Sequence, residues 1–249
     1  MTSLAAWLLS AVLALAPVVV PPDANVAWDY QIGGARTPPA GVGIVDRDRT
    51  ASPSGLYDIC YVNAFQTQPD ERAFWRRHHR LLLRHNGSLV VDGQWNEILL
   101  DIGTSAKRDR LTTIVGRWIH GCATSGFDAV ELDNLDSWTR SRHELTRGDA
   151  RAFATALVGV AHADGLAVAQ KNAAELLGSK DAIGFDFAIV EECARYHECR
   201  EFVDAYSGRA LLVEYRQKWF DAACTRVGAE VAVVLRNRNV TPSGPFETC

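Results

Sequence analysis

The chain lacks a surplus of positive charge: 26 Lys and Arg stand against 30 Asp and Glu, a formal net charge of −4. Nucleic acid and anionic membranes are therefore not the expected partners, and a neutral or cationic ligand fits better. No Gly-rich loop follows any apolar run, which leaves no cradle for a dinucleotide or a nucleotide phosphate. Seven histidines occur without an HxxxH or HxxEH spacing, and six cysteines without a CxxC pair. Zinc centres of the usual spacing are thereby absent, and a metal-dependent polysaccharide deacetylase falls to a third reading. The expectation is a protein with no metal and no cofactor.

Positive charge is also missing from the N-terminus, where no Lys or Arg precedes Arg36. Leu4 to Val20 is otherwise apolar apart from Ser10, is interrupted by Pro17, and ends at Pro21-Pro22-Asp23. It reads as an export signal over residues 1–24, with Ala14-Leu15-Ala16 as a cleavage box, although such signals normally begin with a basic residue. The rival is an uncleaved anchor, but a run of this length broken by proline is short of the roughly 20 residues a span needs. The even cysteine count (Cys60, Cys122, Cys193, Cys199, Cys224, Cys249) agrees with an exported, disulfide-bearing chain. Six cysteines allow fifteen pairings, so none is assigned; Cys193 could join Cys199, or either could join Cys224. The expected product is a secreted monomer with no stable membrane association once the signal is removed.

Residues 25–249 are long enough for one domain and for a closed α/β barrel. Eight short apolar runs end in polar residues: 26–31, 42–45, 57–62, 126–133, 166–169, 185–190, 210–213 and 231–235. Helical patterns lie between several of them. Glu71 to Asn86 reads as a basic amphipathic helix with Phe74, Trp75, Leu81 and Leu82 facing inward, its charge run being a solvated face. Asp109 to Gly126 and the stretch after Leu145 read as further helices. The alternation predicts a single (β/α)8 barrel of the TIM type, whose chemistry sits where strands run into their following loops.

Those mouths are rich in acids. Strand four ends in Glu131-Leu132-Asp133-Asn134-Leu135-Asp136, and strand six ends in Glu191-Glu192. Glycosidic cleavage commonly uses two carboxyl groups, one protonating the leaving oxygen and the other acting as nucleophile or as base toward water. Asp133 and Glu191 are the chosen pair. Residues two apart on a strand share a face, so Glu131 points the same way as Asp133 but deeper. A single strand-end acid is more often a cap or a salt-bridge partner. Here the conjunction matters, because Asp48, Tyr61, Lys171, Asn172, Glu214 and Tyr215 close other strands, and a lysine near two carboxyls can keep one ionised. Trp28, Tyr30, Tyr61, Trp95, Trp138 and Tyr215 offer flat faces for sugar rings. Asp101 is either a mouth residue or a helix cap. A carbohydrate-binding barrel without turnover is the alternative from another functional class.

At these residues the chain resembles glycoside hydrolase family 114, the endo-α-1,4-polygalactosaminidase-like TIM-barrel domain. The matching pieces are Trp28-Asp29-Tyr30-Gln31, Ile59-Cys60-Tyr61, Leu100-Asp101-Ile102, Gly126 to Asp136, Gln170-Lys171-Asn172, Phe185-Asp186-Phe187, Glu191-Glu192-Cys193, Tyr196 with Glu198-Cys199, and Glu214-Tyr215. The resemblance implies a secreted, cofactor-independent hydrolase of α-1,4-linked galactosamine polymers with Asp133 and Glu191 as its carboxylates. It selects Glu191 over Glu192, because the family's glutamate stands two places before a cysteine. After the third strand this chain has Val62-Asn63-Ala64-Phe65-Gln66-Thr67-Gln68 where many members carry an aromatic-Ser-Ala-Gly turn. That loop borders the mouth and bears on the sugar and linkage accepted.

Overall fold

The structure is a computed structural model that describes residues 17–249. Eight parallel strands follow one another in space in sequence order: β1 (Trp28–Tyr30), β2 (Ile44–Asp48), β3 (Tyr57–Asn63), β4 (Ala129–Asp133), β5 (Ala167–Lys171), β6 (Phe187–Glu191), β7 (Ala210–Glu214) and β8 (Ala232–Leu235). A two-residue ninth strand, β9 (Glu247–Thr248), pairs antiparallel to β8. The sheet curls into a nearly closed α/β barrel in which β1 and β8 lie side by side without a backbone ladder. All eight strands expected from the sequence are present.

Side chains bridge the open seam. The Arg236 guanidinium, just past β8, is fully buried and reaches both the Asp29 carboxylate and the Tyr30 carbonyl on β1. Trp28 Nε1 on β1 donates to the Leu212 carbonyl on β7 at 3.3 Å. Asp29 is also held by Arg36 at 2.8 Å. These bonds satisfy buried groups that a closed ladder would otherwise pair.

Alternation along each strand sorts residues between two apolar layers. Trp28, Ile44, Ile59, Ala129, Ala167, Phe187, Ile189, Leu211 and Val213 fill the barrel's interior. Val62, Val130, Leu132, Val168, Val190, Leu212 and Val233 face outward onto the helices. Two long helices cover β3 to β5. One (Ser105–Ser125) is capped by the Thr104 hydroxyl and ends at Gly126, whose φ of 93° admits only a residue without a Cβ at low strain. The other (Arg147–Ala163) carries a capping box between Thr146 and Asp149. A helix at Gln217–Val227 covers β7 and β8.

Two expectations change. No helix separates β1 from β2 or β2 from β3, so the helical ring is incomplete on that side. The segment expected as a helix over Glu71 to Asn86 is α-helical at Arg72–Arg77 and holds a short 3-10 helix at His79–Leu81, and Arg84–His85 then pairs with Ser88–Leu89 as a hairpin. Asn86-Gly87 forms its two-residue turn with φ of 49° and 81°, the geometry that Asn-Gly favours, and this local signal outweighs the helical spacing of Leu81 and Leu82. A second small ribbon, Val91–Asp92 with Glu97–Ile98, follows.

Three disulfides take up all six cysteines: Cys60–Cys122, Cys193–Cys199 and Cys224–Cys249. They tie β3 to the Ser105–Ser125 helix, staple the turn after β6, and anchor the C-terminus to the Gln217–Val227 helix. Most of the expected export segment lies outside the described residues. Residues 17–24 lie within them, and Tyr57 Oη donates to the Val20 carbonyl there at 2.7 Å. Among the described residues no helix is long and apolar enough to cross a membrane.

Candidate active site

The parity that sends Ala129 into the barrel also sends Glu131 and Asp133 inward, one above the other. Lys171 at the end of β5, Glu191 at the end of β6 and Tyr215 just beyond β7 converge with Asp133 on one cleft of about 390 Å³. The Lys171 ammonium is the hub. It bonds the buried Glu131 carboxylate, lies 2.8 Å from Tyr30 Oη, 3.4 Å from Asp133 Oδ1 and 3.8 Å from Glu191 Oε2. The last two oxygens therefore cannot be farther apart than the sum of their legs to that nitrogen, about 7 Å.

Each of the two outer carboxylates has its own clamp. Asp133 accepts from Tyr61 Oη at 2.7 Å and from Asn134 Nδ2 at 3.3 Å. Glu191 accepts from Tyr215 Oη and, at 3.3 Å, from Asn172 Nδ2, while the Asn172 side-chain oxygen takes the Glu191 backbone N–H at 2.8 Å. Their side chains keep 19% and 29% exposure, against 0% for Glu131 and 2% for Lys171. The outer pair meets solvent and the inner pair does not.

The backbone turns sharply after each charged strand end. Asn134, Asn172 and Glu192, which directly follow Asp133, Lys171 and Glu191, have φ of 66°, 48° and 53°. Asn tolerates this left-handed region because its amide bonds locally, whereas Glu192 is held by its ion pairs with Arg195 at 2.9 Å and Arg238 at 3.5 Å.

Electrostatics separate the roles. Burial would raise the Asp133 carboxyl, but Lys171, the Tyr61 hydroxyl and the Asn134 N–H outweigh it and hold Asp133 below the usual range, ionised. Burial opposes charge on Lys171, yet Asp133, Glu131 and Glu191 together push its pKa well up, so it stays an ammonium. Burial and the nearby carboxylates raise the Tyr30, Tyr61 and Tyr215 phenols, which remain neutral donors.

The structure brings together Tyr61, Asp133, Asn134, Asp136, Lys171, Asn172, Glu191 and Tyr215 on the cleft, with Glu131 directly beneath. It places four expected residues elsewhere. Trp28 is sealed in the barrel interior. Glu214 has the opposite parity to Val213, lies buried outside the barrel and accepts the Ala194 N–H at 2.8 Å. Asp101 pairs with Lys107 and accepts the Gly103 N–H at 3.3 Å, at the start of the Ser105–Ser125 helix. Asp48 closes its own turn through Thr50 and touches the rim only through Gln68, at 2.9 Å. Of the aromatics, Tyr61, Trp95 and Tyr215 line the cleft, Tyr30 sits below it, and Trp138 packs on the outer shell.

Several cleft residues were not expected. Glu97 and Asp92 come from the small ribbon, with Arg140 pairing Asp92 at 3.0 Å and Asp136 at 2.9 Å. Burial, with the charges of Asp133 and Asp92, raises Glu97 to about 7 against the opposing Arg140 charge. Nothing in the ribbon's sequence marks it as part of the mouth. Asp46 is different, since its position two residues after the interior-facing Ile44 already predicts an inward acid.

A solvent-facing carboxylate pair, bridged by one ammonium at the carboxyl ends of parallel strands, is the kind of arrangement that glycosidic cleavage uses. The family model for glycoside-hydrolase family GH114 matches residues 10–249, and the chain belongs to that family. It is a glycoside hydrolase. Among solved structures it is similar to Aspergillus fumigatus Ega3 in complex with galactosamine, at 21% identity over 92% of this chain and 98% of that one, with a TM-score of 0.75. It is also similar to the glycoside hydrolase domain of PelA from Pseudomonas aeruginosa, at 16% identity over 88% and 96%, with a TM-score of 0.63. At such identities both likenesses are likenesses of fold. A search of curated protein sequences finds no match.

Proposed function

We propose that this chain is a secreted, monomeric (β/α)8 endo-glycosidase that cleaves α-1,4-linked galactosamine-containing polysaccharide with Asp133 and Glu191 as its two catalytic carboxyls. Residues 1–24 form the export leader and residues 25–249 the catalytic domain. The observation that carries the reading is the Lys171 bridge between two solvent-facing carboxyls on separate strands. The Ega3 likeness, with galactosamine bound in that structure, and the family membership support an amino-sugar polymer. Three disulfides support an extracellular destination.

In this mechanism Asp133, kept ionised by Lys171 and Tyr61, is the nucleophile or the base toward water. Glu191 protonates the leaving glycosidic oxygen. With Asp133 as nucleophile, Glu191 then takes a proton from the water that hydrolyses the glycosyl-enzyme; with Asp133 as base, Asp133 itself takes the proton of the attacking water in the same step. Asn134, Asp136, Asn172, Tyr61 and Tyr215 bind sugar hydroxyls or ammonium groups, and no cofactor takes part.

The test is incubation of the mature protein with α-1,4-galactosamine and N-acetylgalactosamine polymers, products being read by mass spectrometry. Internal cleavage of the galactosamine-containing polymer is the expected result. Binding without product over hours would instead establish a carbohydrate-binding barrel, and activity abolished by chelation would revive the deacetylase reading.

A further inference from the structure

Below Lys171 the barrel buries more negative charge than the ammonium can balance. Asp46 and Glu131 are both 0% exposed, and with Asp133 and Glu191 they make four carboxyl groups around one cation. Alternate strands share a side-chain layer in such barrels, which is why Asp46 on β2 meets Glu131 on β4 across β3. The two carboxyl groups lie within hydrogen-bonding range of each other, yet no hydrogen stands between them: Asp46 Oδ1 and Oδ2 and Glu131 Oε2 are all without a partner.

The donors needed to satisfy this pair as two carboxylates are missing. Glu131 Oε1 takes both Tyr30 Oη, at 3.0 Å, and the Lys171 ammonium. Glu131 Oε2 and both Asp46 oxygens are buried and receive no N–H or hydroxyl hydrogen. A contact between two acceptors with no hydrogen would place like charges side by side in a dry interior. One proton removes the conflict, because a carboxylic acid donates where a carboxylate can only accept.

We propose that Asp46 carries that proton and donates it to Glu131, so that the pair bears a single negative charge and holds the Lys171 ammonium level with Asp133 and Glu191. Asp46 is thus a positioning residue for the two-carboxyl chemistry, and this role rests on the proposed glycosidase reading. The groups facing it are Glu131 and Asp133 from β4, Lys171 from β5 and, through Glu131, Tyr30 from β1. Burial first, and then the Glu131 charge, favour its neutral form, and Lys171 opposes them. Without the shared hydrogen, Glu131 would draw the ammonium deeper and away from the outer pair.

The test combines a spectroscopic and a kinetic readout on the mature protein. In infrared difference spectra at neutral pD, wild type minus Asp46→Asn should show one buried protonated-carboxyl stretch, while wild type minus Asp133→Asn should not. Asp46→Ala should lower kcat on galactosamine oligomers by about tenfold or more with little change in KM. Asp46→Asn, which restores a donor of the same shape, should recover kcat to within about threefold. No protonated-carboxyl band, or an Asp46→Ala variant with wild-type kcat, would overturn the proposal. The band needs no substrate: if it is present while wild type cuts no polymer, proton sharing stands and the substrate reading fails.

Discussion

Replacing Lys171 with Met keeps the length of the side chain in the buried hub and deletes its charge. At 3.4 Å from Asp133 and an effective dielectric near 20, the lost attraction is about 5 kcal/mol. Relief of the ammonium's own desolvation offsets about 2 kcal/mol of this, so a net loss of about 3 kcal/mol is expected in the transition state, where the charge on Asp133 must be fixed. That corresponds to a fall in kcat/KM of roughly 100-fold. The pH profile should move as well. Lys171 is the strongest of the groups holding Asp133 below its usual range against burial, so without it the carboxyl gains its proton at higher pH as pH falls. The acid limb of kcat/KM should therefore shift upward. Initial rates on a defined galactosamine oligomer across pH, with a thermal melt to confirm folding, make the assay. A variant within threefold of wild type whose acid limb has not moved would refute the role assigned to Lys171.

Two further outcomes test the frame around the site. Burial raises Glu214 to about 7, with Glu192 adding to it and the Ala194 N–H opposing, so its folded pKa lies above its unfolded value. Stability linked to it is then fully present below about pH 4.3 and is lost as pH rises through about 7, and Glu214→Gln should gain roughly 3 kcal/mol on wild type at pH 8 but little near pH 4 in urea melts. Arg236→Met leaves the buried Asp29 carboxylate with Arg36 as its one cation and Gln31 as a neutral donor, both on Oδ2, which should lower stability by about 3 kcal/mol and Tm by roughly 6–12 °C in calorimetry.

The barrel was legible because strands buried on both faces make apolar runs, and eight of them ended in polar residues. Asp133, Glu191 and Lys171 were legible for the same reason, since a charged group at the end of such a run has a mouth to face. Trp28 and Glu214 were misplaced by different physics. Strand parity puts Glu214 on the helix side, opposite to Val213, and Trp28 starts its strand at the closed floor rather than the open end. Asp46 could have been found by the two-residue period from Ile44. Glu97, Asp92 and Arg140 could not, because their part in the cleft depends on how an inserted ribbon folds across the mouth, which no local pattern encodes.

The claim beneath all of this is that Asp133 and Glu191 act on one glycosidic bond. Its most direct measurement is turnover of a defined α-1,4-galactosamine oligomer by wild type, Asp133→Asn and Glu191→Gln, each shown to be folded by its melting curve. Each substitution should lower kcat by about a thousandfold, the scale on which a lost acid, base or nucleophile is felt. Cleavage near the wild-type rate by either variant would contradict the account.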